Sequence, residues 1–432
     1  MNKFHNFVII FISAAFLAAC GGGGTFNPSA GSGIPTGVRE RSSAASPAGA
    51  GYKVLYTFKG TPDGASPYGG LVALNGTLYG TTLNGSKNYC SSSCGSNLCY
   101  LGCGTIFTVT KGGAENIIYN FDGTFNGGHD GSWPWAAPTV LNGQFFGTTS
   151  SAGEFGDGVV YTTTPSGSEQ VIYSFKGSGS ADAQDSQAAL IPLSGKLYGT
   201  SVYGGSTNCG GAGCGTVFSV TSEGTEKVVY SFKGGNDGER LYGPVTAMNG
   251  KLYGATLEGG GTGCGGNGCG TIFELSLRGK EHVLYRFADT TDGAFPNGLT
   301  AVKGVLYGTT EGGGSRSSGT FFSVTTSGTL ATLYSFKDIP DGNLPGASMI
   351  YSKGEFYGTT VGGGTAGHGT VFKISPTGTE SVLHSFLGGT DGQDPNAPVY
   401  MLRGVLYGTT ISGGNGGCGN SYGCGTIFKV RP

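Results

Sequence analysis

Apolar and β-branched residues fall in short runs along this chain, each cut off by glycine, asparagine or a Gly-Gly pair, and no long helical pattern emerges. The most recognisable run is Leu-Tyr-Gly-Thr-Thr or a close variant, centred on Tyr79, Phe146, Tyr198, Tyr253, Tyr307, Tyr357 and Tyr407. Successive members lie 67, 52, 55, 54, 50 and 50 residues apart. A period near 50 marks a solenoid, a propeller or an array, and the strand content of one unit decides among them. In the unit from Leu241 to Phe287 the pattern predicts a first strand over 243–248, an Asn249-Gly250 hairpin turn and a second strand over 251–256. A glycine-rich loop leads to a third strand over 270–275, and a turn at 277–280 leads to a fourth over 281–287.

Four antiparallel strands per repeat is a propeller blade. The two ends of the patterned region agree: residues 52–58 read as a fourth strand and 425–430 as a third. Fourth-type strands end at Phe58, Phe121, Phe175, Phe232, Phe287, Phe336 and Phe386, so seven of them meet seven third-type strands. The expected fold is all-β, a seven-bladed propeller of four-stranded antiparallel blades over residues 52–432, its ring closed by the N-terminal strand completing the last blade. Interior blades bury both faces, which explains apolar runs such as Val-Val-Tyr-Ser-Phe at 228–232 and assigns the repeated Tyr and Phe to scaffold.

Gly-Thr-Val-Phe, Tyr-Ser-Phe, Asp-Gly, Leu-Tyr-Gly-Thr-Thr and Gly-Gly recur in that order. In these motifs the chain resembles the Gloeo/Verruco (GloVer) tandem repeats of exported bacterial proteins, over essentially all of 52–432. The resemblance implies no particular activity. Two blades depart from the pattern, with Phe145-Phe146 for Leu-Tyr and with Asp185-Ser186 read in the place of Asp-Gly.

Composition narrows the function classes. Glycine supplies 88 of 432 residues, charged residues 12%, and the formal net charge is −2 with no basic cluster, so nucleic acid is not an expected partner. At the N-terminus, Lys3 precedes an apolar run from Phe7 to Ala19 that is too short to span a bilayer, which reads as a signal peptide over 1–19. It ends in Leu17-Ala18-Ala19-Cys20, which resembles the lipobox of bacterial lipoproteins and implies lipidation of Cys20. Gly21, by the same resemblance, favours the outer membrane or cell surface, with the membrane a partner through the lipid. Residues 20–51 then form a flexible Gly/Ser/Pro tether reaching roughly 30 Å.

Ten cysteines remain beside Cys20, an even number that reads as disulfides in an exported protein. Cys209 and Cys214, Cys264 and Cys269, and Cys418 and Cys424 each flank one loop between second and third strands. Cys90 with Cys103 and Cys94 with Cys99 nested inside is the expected pairing of the rest; Cys90 with Cys94 and Cys99 with Cys103 is the rival. Zinc-ligand spacing is missing.

Loops between strands two and three and loops between blades emerge on one face, which therefore gathers the cysteines and the Asp-Gly turns at Asp63, Asp130, Asp237, Asp292, Asp341 and Asp391. Aspartate accepting backbone amides is the expected role of the latter. One loop, 122–137, is longer and holds both tryptophans, Trp133 and Trp135, near His129 and Asp130. These four are the candidate ligand-binding residues, for glycan or protein; capping of the ring or filling of an inter-blade gap is the structural alternative. No catalytic, cofactor or metal motif stands out: Gly-Lys is followed by Leu197, Leu252 or Glu281, the GxGxxG match at 263–268 has no helix after it, and His129, His282, His368 and His384 are scattered. The expected function is a surface binding module, with an exported enzyme acting on polysaccharide or peptide through loop carboxylates as the alternative.

Overall fold

The computed structural model describes residues 51–87, 102–123, 129–415, 417–418 and 422–432. The signal peptide, Cys20 and the tether up to residue 50 lie outside them, as do Cys90, Cys94 and Cys99. Among the described residues no helix is long and apolar enough to cross a membrane.

Seven four-stranded antiparallel sheets make the blades of a seven-bladed propeller. The reference blade runs Thr246–Met248, Lys251–Thr256, Thr271–Ser276 and Glu281–Arg286, close to the sequence expectation. Its hairpin turn takes φ of 52° at Asn249 and 74° at Gly250, the mirror-image turn that suits twisted strands. The last blade is built from both ends of the propeller: Lys53–Thr57 pairs with Thr426–Val430, outside Val405–Thr410 and Tyr400–Leu402. No blade edge is left open between first and last.

The repeat motif explains the assembly residue by residue. The glycine of Leu-Tyr-Gly-Thr-Thr faces the third-strand aromatic of its own blade; a Cβ at Gly254 would stand 2.5 Å from the Phe273 ring, and the other six glycines are similarly crowded. The first threonine donates to a backbone carbonyl at the head of the next blade in six cases, at 2.9–3.4 Å; Thr409 to Gly69 spans the closing seam, and Ala255 breaks the series. The second hydroxyl residue pairs with the third-strand threonine of its own blade at 2.8–2.9 Å in six blades.

Blade-to-blade packing is aromatic. The phenylalanine ending each fourth strand meets the third-strand aromatic of the following blade edge-on, with centroids 5.0–5.3 Å apart at all seven seams, Phe58 against Phe107 included. Each such phenylalanine is buried, a contribution of about 1.5–3 kcal/mol.

The Asp-Gly aspartates are turn residues. Each accepts a backbone N–H from the end of its fourth strand and a bond from that strand's tyrosine, or from His384 in the sixth blade, at 2.6–3.0 Å. The turn after the second blade corrects the sequence reading: Asp182-Ala183 fills the Asp-Gly slot, receiving Tyr173 and the Lys176 amide, and Asp185 stands three residues further on. Two extra residues between Tyr173 and Asp182, in a segment where Ser178–Ser180 forms a short helical turn, hide the alignment.

A candidate recognition face at the mouth of the ring

First strands of successive blades form the innermost ring, close enough that a Cβ on Gly69 would meet the Ala136–Ala137 backbone and one on Gly243 the Gly298 backbone. Residues leading into those strands therefore surround the axis at the loop-rich end. Seven of them share a conformation no sequence pattern announced. Ser66, Trp133, Asp185, Arg240, Phe295, Leu344 and Asp394 stand one per blade, each three residues after the turn aspartate, with φ between 53° and 62°. Left-handed backbone is costly for bulky side chains, and five of the seven precede proline, which itself favours extended backbone.

Tertiary hydrogen bonds hold the conformation from both sides. The N–H of each of the seven donates, at 2.9–3.3 Å, to the carbonyl of the residue ending the 2–3 loop: Cys424, Cys103, Asp157, Cys214, Cys269, Ser318 or His368. In six blades its carbonyl accepts, at 2.8–3.2 Å, from the residue after Thr-Thr or its equivalent, as Ser150 does to Trp133 and Leu257 to Arg240. The cysteine positions acquire a purpose here. Cys209–Cys214, Cys264–Cys269 and Cys418–Cys424 are disulfides, as expected, and each stiffens the loop whose carbonyl holds a ring residue. Cys103 is also disulfide-bonded, while the choice between the two pairings rests on cysteines outside the described residues. Cys209 and Cys214 lie with Glu239 in a cluster of metal-ligand type, but sulfurs joined to each other offer no thiolate.

The frame repeats and the side chains do not. The seven positions carry six residue types, and two positions further on stand Tyr68, Trp135, Gln187, Tyr242, Asn297, Gly346 and Asn396. Tyr68 and Trp135 meet across neighbouring blades with ring centroids 4.6 Å apart, and the Trp135 indole donates to Ser150 Oγ at 3.0 Å. Asn297 donates to Glu311 at 2.9 Å, Gln187 to Asp185 at 2.9 Å, and Arg240 pairs with Glu258 at 3.0 Å. Burial raises every carboxyl in this group: Asp185 is pushed up to about 7, and Asp394, Glu311 and Glu258 also stand above the ordinary range. Asp185, Glu311 and Asp394 are nonetheless only half-buried, the condition of groups surrounded by protein yet open to water.

Of the four candidates from sequence, Trp133 and Trp135 belong to this ring. Both are half-buried. Asp130 serves its own turn instead, since its oxygens accept the Tyr119 hydroxyl and the amides of residues 122 and 123, as the other turn aspartates do. His129 is exposed beside it. His384 serves the turn at Asp391, His368 supplies the carbonyl under Asp394, and His282 lines an outer groove with Lys233, Glu281 and Arg286. Sequence reading missed Tyr68, Asp185, Tyr242, Glu311 and Asp394 as a group; the Asp-Gly-x-x-Pro spacing carried the signal. Phe155, Ile339, Leu387 and Tyr422, the exposed large apolar side chains among the described residues, are all on this loop-rich face.

A family model described as the Gloeobacter/Verrucomicrobia repeat matches residues 89–316 and 297–432. No curated protein matches the chain. Among solved structures, an extracellular domain described as part of a hybrid two-component system from B. thetaiotaomicron is 13% identical with a TM-score of 0.54, covering 88% of this chain and 42% of that one. The computationally designed Ika8 protein is 11% identical with a TM-score of 0.45, covering 88% and 100% of the two chains. A gluconolactonase from Xanthomonas campestris is 12% identical with a TM-score of 0.41, covering 88% and 89%. At such identities the likeness is one of fold.

Proposed function

For this chain, which belongs to the Gloeobacter/Verrucomicrobia repeat family, we propose a role as a surface-tethered recognition module that binds carbohydrate at the mouth of the propeller ring. One observation carries the reading: an otherwise repeated frame holds seven strained positions around the axis and varies their side chains. Residues held against conformational preference cluster at binding and switch sites. Aromatic faces at Tyr68, Trp135 and Tyr242 suit the apolar faces of sugar rings. Planar amides and carboxyls at Gln187, Asn396 and Asp394 suit pairs of neighbouring hydroxyls.

Export and lipid attachment at Cys20 belong to the same proposal. Three local disulfides fit an oxidising compartment, and the Leu-Ala-Ala-Cys sequence supports the anchor. Replacement Cys20→Ser should move the protein from the membrane fraction to the soluble one; retention in the membrane fraction would remove the anchor from the account.

Binding is tested with residues 52–432 on a glycan array, beside the Trp133→Ala/Trp135→Ala variant. Saturable binding lost in the variant supports recognition at the ring. Binding equal in both refutes that location. A second reading, cleavage of a polysaccharide, is favoured by one fact, the Asp185 carboxyl standing near 7 where a general acid is useful. It requires turnover abolished by Asp185→Asn while binding persists.

A further inference from the structure

Five seams between blades contain a cluster that neither packing nor recognition accounts for. The fourth-strand tyrosine of one blade stands between its own turn aspartate and a glutamate that opens the fourth strand of the next blade. At the seam of the first and second blades, the Tyr119 hydroxyl lies 2.6 Å from Asp130 Oδ2 and 3.1 Å from Glu169 Oε2. A phenol has one hydrogen to give. Asp130 already accepts amides of residues 122 and 123, which suit its ionised form, so Tyr119 donates to Asp130 and Glu169 must itself carry a proton to bond the phenol oxygen.

The arrangement recurs. Glu115 adjoins Tyr56 and Asp63, Glu226 adjoins Tyr173 and Asp182, Glu281 adjoins Tyr230 and Asp237, and Glu380 adjoins Tyr334 and Asp341. In all five glutamates Oε1 is buried without a hydrogen-bond partner, a costly state for a carboxylate and a cheaper one for a neutral acid. The other charges facing these groups are Lys59, Lys176, Lys233 and Lys337, all exposed, Arg286 beside Glu281, and Asp122 beside Asp130. Tyr161 adds a second buried phenol near Glu169. Two seams differ. Leu330 opens the fourth strand of the fifth blade, and at the last seam Tyr52 lies flat on His384, with centroids 3.5 Å apart.

We propose that a proton carried by the glutamate of each tyrosine–aspartate–glutamate cluster locks each of five blade seams, so that the propeller ring tightens in acid and loosens in alkali. Burial, reinforced by the neighbouring aspartate, raises Glu115, Glu169 and Glu281 to about 7 and Glu226 and Glu380 to about 8, all from an ordinary value of 4.5. Glutamates whose folded pKa is raised contribute stability that is complete below the unfolded value and is lost as pH climbs through 7 to 8. Above that range each glutamate gives its proton to water, and two carboxylates then compete for one phenol hydrogen.

The test counts protons. Unfolding by urea in weakly buffered solution near pH 6 should release about five more protons from the native chain than from a variant with all five glutamates changed to glutamine. Glutamine keeps the shape and can donate to the phenol oxygen without titrating. Near pH 6 the native unfolding constant should rise about tenfold per pH unit for each glutamate proton, and the variant's should be flatter by that amount. Asp185 titrates in both proteins and cancels. Should the fivefold variant fail to fold, Glu169→Gln alone should release one proton fewer. Equal proton release and equal pH dependence in native and variant proteins would overturn the proposal.

Discussion

Single residues of the repeat carry more than one constraint each, which is why the motif is so regular. Gly254 sits where a methyl group meets Phe273, so Gly254→Ala should destabilise the chain by about 1–3 kcal/mol in urea unfolding. Thr409→Val keeps the volume and removes the hydroxyl that bonds the Gly69 carbonyl across the closing seam; a loss of about 1–2 kcal/mol is expected from the same measurement. Asp130 carries two readings in the sequence, a turn residue and a candidate ligand group. Beside two tryptophans and a histidine it looked like part of a site, yet its equivalents in six other blades bind the same backbone amide and a neighbouring ring group. Comparison with those equivalents was open to the sequence. The tyrosine that completes each turn was not, since it precedes the aspartate by seven residues or more on a separate strand.

Among elements, the four-stranded meander was legible because glycine and asparagine punctuate every blade and the apolar runs between them fit one strand each. Closure was legible from the unmatched strands at the two ends of the patterned region. The left-handed ring positions were not, because local preference points away from them. A residue before proline favours extended backbone, and only the carbonyl of the 2–3 loop and the amide beyond Thr-Thr reverse that preference. The disulfides therefore act on the ring more than on the fold. Closing so short a loop contributes about 2 kcal/mol, and removing Cys209–Cys214 by double alanine replacement should cost no more than that. The same change frees the carbonyl under Arg240, so hydrogen exchange at the Arg240 amide should rise well beyond that of the blade strands.

For the whole propeller, ring closure by Lys53–Thr57 predicts a distinct failure. Deleting residues 51–58 leaves Thr426–Val430 as an unpaired edge and removes Phe58 from Phe107, so size-exclusion chromatography should show more association of chains than for the intact propeller. The proposed function rests on the opposite logic, on what the blades do not share. Twenty-eight strands repeat one solution, while the seven positions around the mouth hold Ser66, Trp133, Asp185, Arg240, Phe295, Leu344 and Asp394. Binding to a glycan array by residues 52–432, with Trp133→Ala/Trp135→Ala alongside, tests this division most directly. The account predicts saturable binding to a restricted set of glycans and its loss in a variant that unfolds at an unchanged urea midpoint. Binding that survives both replacements, or a folded protein that binds no glycan, would contradict it.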